Sequence, residues 1–259
     1  MSNRRKTGKT LIKGNISTGF QLGLRKFIRP HLSYRLGLLW IALDPLLRAL
    51  VFSFLMLVIR GNSSPESLVI GIFTLQAMNV TFSTSLNIRL AEEPFPLSHT
   101  PTFTLIISKI TADLATATFL GLSSSLLLVL LVHLPISIIP AMIIACMTLA
   151  MIGCGSGLLL SPFVTIAKDL SKIINYVLLL GLFLQCVLYP FSITEGYHRQ
   201  VLSFMPHTIV VEWCRSIASN TPNPFSFSHS TLVLFLWSFP MLWGFVRFDR
   251  YRWRSTTWY

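Results

Sequence analysis

The chain has 259 residues, 53% of them hydrophobic and only 12% charged, with a mean hydropathy of +0.66. That balance excludes a soluble globule around one buried core and points to a polytopic, all-α membrane protein forming a single domain over residues 1–259. The formal net charge of +12 would suggest nucleic acid in a soluble protein, but the cations follow membrane topology, so no nucleic acid is expected.

Arg4, Arg5, Lys6, Lys9 and Lys13 form a basic lead. It lacks a small-residue cleavage pattern, so no cleaved signal peptide is expected. Thr7-Gly8-Lys9-Thr10 matches the tail of a phosphate-binding loop, but Asn3 stands where that motif needs glycine. Any nucleotide hydrolysis is therefore expected on another chain. From Leu11 to Ile28, Ile12, Ile16, Phe20, Leu24 and Phe27-Ile28 recur near helical spacing, while Lys13, Gln21, Arg25 and Lys26 hold the other face. This predicts an amphipathic helix on the membrane surface; docking on a partner fits the same pattern. Pro30 ends it, and residues 1–35 form a cytoplasmic lead.

Six spans are expected within residues 36–248. Leu36 to Ile59 is the first, with Trp40 at interface depth and Asp44 and Arg48 spaced to pair on one helix face. Leu68 to Ile88 is the second. The loop Arg89 to Thr102 carries Glu92-Glu93 and three prolines, and reads as a solvated or docking surface rather than acid-base machinery. Phe103 to Val132 is the third span, with Lys109 and Asp113 again spaced to pair. Ile136 to Ile166 is the fourth, and its Gly153-Cys154-Gly155-Ser156-Gly157 either admits a close helix neighbour or breaks the helix. Cys146, Cys154, Cys186 and Cys214 lack ligand spacing and read as small apolar residues, so neither metal nor cofactor is expected.

Ile173 to Phe191 is the fifth span. After Tyr189-Pro190 come apolar pieces too short to cross a membrane, separated by His198, Arg199, Pro206, His207, Glu212 and Arg215. None can lie alone in lipid, so a re-entrant segment held by protein is expected between the fifth and sixth spans. Thr231 to Phe248 is the sixth span, and residues 249–259 close the chain as an aromatic and basic cytoplasmic tail. Nine of the 21 Lys and Arg precede the first span and four, Arg247, Arg250, Arg252 and Arg254, lie at the C-terminal end, whereas the opposite side holds Arg60, Arg199 and Arg215. Both termini are thus expected in the cytoplasm. No internal repeat favours an inverted-repeat transporter.

Tyr34-Arg35-Leu36-Gly37-Leu38-Leu39-Trp40 with Asp44-Pro45, the Gly153 to Gly157 run, Asp169-Leu170-Ser171-Lys172, the Tyr189-Pro190 exit and Pro206 to Glu212 with Arg215 occur in an order that resembles one family. It is the membrane subunit of ATP-binding-cassette exporters for bacterial surface polysaccharides, the capsule and O-antigen permeases. Met205 replaces the asparagine usual before the proline, and Ser98 and His99 stand where relatives often carry Arg or Lys. The resemblance implies a homodimer in the bacterial inner membrane, working with two separate ATPase subunits to export a lipid-linked glycan. It further implies that the lead, with Arg25 and Lys26, and the loop around Glu92, Glu93 and Phe95 touch the ATPase.

Aromatic faces stack on sugar rings without deep hydrogen-bond traps, so Trp40, Phe52, Tyr176, Phe183, Tyr189 and Phe191 are the candidates for a glycan path, each of them also compatible with lipid or core packing. Pro190, Pro206, Glu212 and Arg215 are the candidate periplasmic gate. Rival readings are a permease for a drug or small lipid, and a membrane enzyme acting on a lipid-linked substrate. The nine scattered acids, with no Asp-x-x-Asp cluster, disfavour the enzyme.

Overall fold

A computed structural model describes residues 16–32, 35, 37–60, 65–88, 102–167 and 169–252. The described residues form an all-helical bundle. Helix α1 covers residues 16–28 and tightens into a 3₁₀ turn at Arg29–His31, where Pro30 removes a donor. Then come α2 (Leu39–Arg60), α3 (Pro65–Leu86), α4 (Thr102–Val132), α5 (Ile138–Ile166) and α6 (Asp169–Leu184), followed by two short helices, α7 (Gly196–Ser203) and α8 (Pro206–Ser219), and the long α9 (Phe227–Arg252).

Five of these, α2, α3, α4, α5 and α9, are long and apolar enough to cross a membrane. The expected fifth span differs: α6 starts at Asp169, has 16 residues and ends at Leu184, so the helix does not run through Ile173 to Phe191. At 1.5 Å per residue it covers only about 24 Å. Residues 185–190 follow as turns and bends, their carbonyls engaged outside the helix ladder.

Helix α5 is the centre of the bundle and packs on α3, α4, α6, α8 and α9. Its small residues explain this position. A Cβ built on Gly153 would stand 2.5 Å from the Met78 carbonyl oxygen of α3, and Cβ atoms on Gly155 and Gly157 would overlap the backbones of Met241 in α9 and Phe82 in α3. The helix runs unbroken through all three glycines, so they serve close approach. Around them Ile70, Phe73, Leu120, Met142, Leu149 and Val211 join one core drawn from α3, α4, α5 and α8.

The ion pairs expected from sequence spacing form. Lys109 Nζ lies 2.5 Å from Asp113 Oδ1, buried, and donates also to Thr84 Oγ1 at 2.8 Å. Arg48 lies 2.8 Å from Asp44, and this pair is half exposed. Pro45 does not interrupt α2, which continues to Arg60.

Helix α1 packs through Gly19 and Gly23 against α4, where a Cβ on Gly23 would stand 2.6 Å from the Ser108 carbonyl oxygen. Phe27 meets Phe119 with ring centroids 6.4 Å apart. Beside this contact Ile16, Phe20, Leu24 and Ile28 are exposed, one residue per turn.

Candidate functional site

The ends of α2, α4 and α6 and the starts of α3, α5 and α9 share one end of the bundle, and there α7 and α8 form a hairpin that enters it. Thr74 of α3 meets His207 of α8, Oγ1 to Nε2, at 3.3 Å, and Thr74 Oγ1 lies 2.7 Å from the Ile70 carbonyl. Thr74 lies nine residues into α3, so the hairpin turn reaches about 13 Å inside the bundle end. On the other side Trp237 Nε1 donates to the Phe204 carbonyl at 2.9 Å, tying the turn to α9.

Helix α8 carries His207, Glu212 and Arg215 yet is buried from Pro206 to Glu212 and again at Cys214 and Arg215. Two charges at its outer half explain how this is tolerated. Arg215 Nη1 donates to Glu212 Oε1 at 2.7 Å, to the Cys186 carbonyl at 2.7 Å and to the Tyr189 carbonyl at 3.2 Å. Its Nη2 donates to the Val187 carbonyl at 2.8 Å and the Ser67 carbonyl at 3.2 Å. Glu212 Oε1 in turn accepts the Phe191 backbone N–H at 3.2 Å. One buried ion pair thus satisfies the backbone that α6 leaves unpaired when it stops at Leu184, a requirement for irregular chain inside a membrane protein. It also ties that stretch to α3.

Around this hub the segment after α6 is held by aromatic contacts. The Tyr189 hydroxyl bridges the Leu184 carbonyl at 3.0 Å and His198 Nε2 at 2.8 Å. Phe191 is buried against Phe225, centroids 4.5 Å apart, with the Arg199 guanidinium 5.1 Å from its ring centre. Phe225 stacks on His229 at 5.7 Å. Asn220 ends α8 in the left-handed region with φ of 53°, a conformation asparagine tolerates better than most residues. Above the hub a cleft of about 550 Å³ opens, walled by Glu66, Ser67, Pro190, Glu212, Arg215 and Ser219.

Of the candidate gate residues, Pro190, Glu212 and Arg215 come together at this cleft, and Pro206 sits at the deep end of α8. Of the path candidates, Phe52 and Phe183 meet edge to face with centroids 6.1 Å apart, joining α2 to α6. Trp40 stands about 18 Å along α2 from Phe52, and Tyr176 is exposed on α6. Tyr189 is half-buried at the hub, and Phe191 is a core residue only 4% exposed, which leaves its ring no open face. Arg25 is exposed on α1, where Lys26 also lies; Glu92, Glu93 and Phe95 lie outside the described residues.

Sequence reasoning missed the docking face of α1, although Gly19 and Gly23 carry the four-residue spacing that brings helices close. It also missed His207 and His198 as partners of Thr74 and Tyr189, contacts across 133 and nine positions. Fold and site define an all-helical membrane protein with a short helical hairpin buried in one end. No known family model and no curated protein matches the chain.

Proposed function

We propose that the chain is the permease subunit of an ATP-driven exporter that moves a lipid-linked surface polysaccharide across a bacterial inner membrane. The single observation that carries the reading is the α7–α8 hairpin, inserted about 13 Å into the bundle and held by the Arg215 network. A half-inserted element that protein rather than lipid satisfies is the kind of structure that lines or closes a path. In this reading the hairpin end faces outward and the hairpin gates the mouth. Helix α6, with the turns after it, is the sixth crossing, and both termini are cytoplasmic.

The bare sides of α2 and α6 fit a homodimer around a glycan path bordered by Trp40, Phe52, Tyr176 and Phe183. Only Leu182 of α6 is buried within the single chain. The exposed row Ile16, Phe20, Leu24 and Ile28 suits the acyl boundary of the inner leaflet, while Arg25 and Lys26 meet anionic headgroups or a separate ATPase. Power comes from that ATPase. Deleting the gene in the source bacterium should abolish surface glycan on immunoblots of whole cells, and the wild-type chain should restore it. Arg215→Ala should restore less than about a tenth of it, the scale expected when a buried pair is broken. Surface glycan unchanged by the deletion would falsify the reading.

A further inference from the structure

Helix α3 buries one face in the core and leaves another that is polar. Gln76, Asn79, Ser83 and Asn87 fall within one narrow strip of that helix, and all four are half exposed in a segment otherwise apolar enough to cross a membrane. The neighbouring helices reach this strip with polar groups of their own. Arg48 of α2 donates to Gln76 Oε1 at 3.4 Å while paired with Asp44. From α6, Asn175 Oδ1 accepts from Ser83 Oγ at 3.3 Å, and Ser171 Oγ donates to Asn87 Oδ1 at 2.9 Å. Between these contacts the Asn79 side chain is half exposed, while its Oδ1 is turned inward, enclosed and without a hydrogen-bond partner among the described residues.

The Asp44 and Arg48 side chains keep 49% and 48% of their surface open, on a face where acyl chains would penalise each charge by several kcal/mol. Asn175 is exposed as well. Groups placed only to stitch helices together would be enclosed by them. At Asp44, Arg48 and Asn175 they are instead open, on the two helices that Phe52 and Phe183 join.

We propose that this strip is a hydrated track that exchanges hydrogen bonds with the hydroxyl groups of a neutral carbohydrate during transport. Its chemistry selects that ligand. Among the described residues Arg48 reaches it, neutralised by the Asp44 carboxylate, which weakens the pull on a phosphate or an ammonium group. Primary amides and hydroxyls offer donors and acceptors together, as sugar hydroxyls do. Bonds of this neutral kind are weak and exchange readily with water, which lets a chain move past. The proposal rests on the permease reading and adds to it the groups that meet the sugar.

The test uses single cysteines in vesicles of native membrane. The four native cysteines are buried and unpaired, so background labelling is low. Asn79→Cys, Ser83→Cys and Asn175→Cys should react with a small water-soluble cationic methanethiosulfonate at least about tenfold faster than Leu122→Cys or Leu232→Cys on apolar exposed faces, because a thiol in lipid stays protonated. Rates equal to those of the leucine sites overturn the proposal. So does an oxidative disulfide that joins two copies of the Asn79→Cys chain and blocks the reagent, which would make the strip an interface between copies. In cells, Asn79→Leu should lower surface glycan about fivefold, the factor expected for one lost hydrogen bond, with Asn79→Ser restoring it at equal chain abundance. Full export by Asn79→Leu overturns the carbohydrate contact while the permease reading stands. Rapid labelling in a strain whose glycan survives gene deletion leaves the track wet and removes its sugar, and there the failure lies in the permease reading.

Discussion

Arg215 is a residue whose value lies in the geometry of its donors. A guanidinium reaches a carboxylate and several backbone carbonyls at fixed angles, and here it meets Glu212 and the carbonyls of Ser67, Cys186, Val187 and Tyr189. Arg215→Ala strands those acceptors and leaves Glu212 as an unpaired buried charge, at an expected cost of about 3–5 kcal/mol. In detergent this should lower the midpoint of thermal unfolding by roughly 10 °C. Arg215→Lys should recover less than half of that loss, since an ammonium cannot span the set. Met205 offers a change of opposite sign. It occupies the N-cap of α8 with extended backbone and no side-chain cap, so Met205→Asn should accept a hydrogen bond from the first turn and add about 1 kcal/mol. A raised unfolding midpoint checks it. The sequence marked Glu212 and Arg215 as notable through their departure from apolar surroundings. It could not reveal which carbonyls they serve, because the partners lie up to 148 positions away.

At the scale of elements, glycine decides two helix contacts. Gly23→Leu should drive α1 off α4, since even a Cβ there meets the Thr111 side chain and the Ser108 carbonyl. The check is a short bis-maleimide cross-link between Phe27→Cys and Phe119→Cys, which should form in the parent and fall severalfold in the glycine variant. Helices α2, α3, α4, α5 and α9 were legible because each is a long apolar run that only a helix can carry through lipid, and their bounds fall within a few residues of those expected. Helix α6 was legible in position but not in length. Its apolar residues continue to Val187 and Leu188, but Pro190 cannot be accommodated in a continuing helix and Arg215 takes up the carbonyls of the turns that follow Leu184. Ile16, Phe20, Leu24 and Ile28 lie exposed one per turn on α1, yet the contact that fixes the helix comes from the glycines beside them.

For the whole molecule, burial is concentrated on the central helices. Half or more of the membrane-crossing windows of α3 and α5 are enclosed, against 11% for α2 and 17% for α9. In membranes the drive to cover α2 is packing and polar contact rather than escape from water. If α2 and α6 face a second copy, Tyr176→Cys should cross-link between chains in native membranes, while Leu232→Cys on α9 should not. A composition rich in apolar residues could announce the membrane but not this asymmetry, which arises from small residues spread over α5. The hub around Arg215 has a further bearing on biogenesis. Residues 185–191 leave the ribosome well before residue 215 does, so during synthesis their carbonyls lack the guanidinium that later receives them. Chains halted before α8 should therefore linger at the insertion machinery or be degraded, because the turns after α6 wait for that guanidinium.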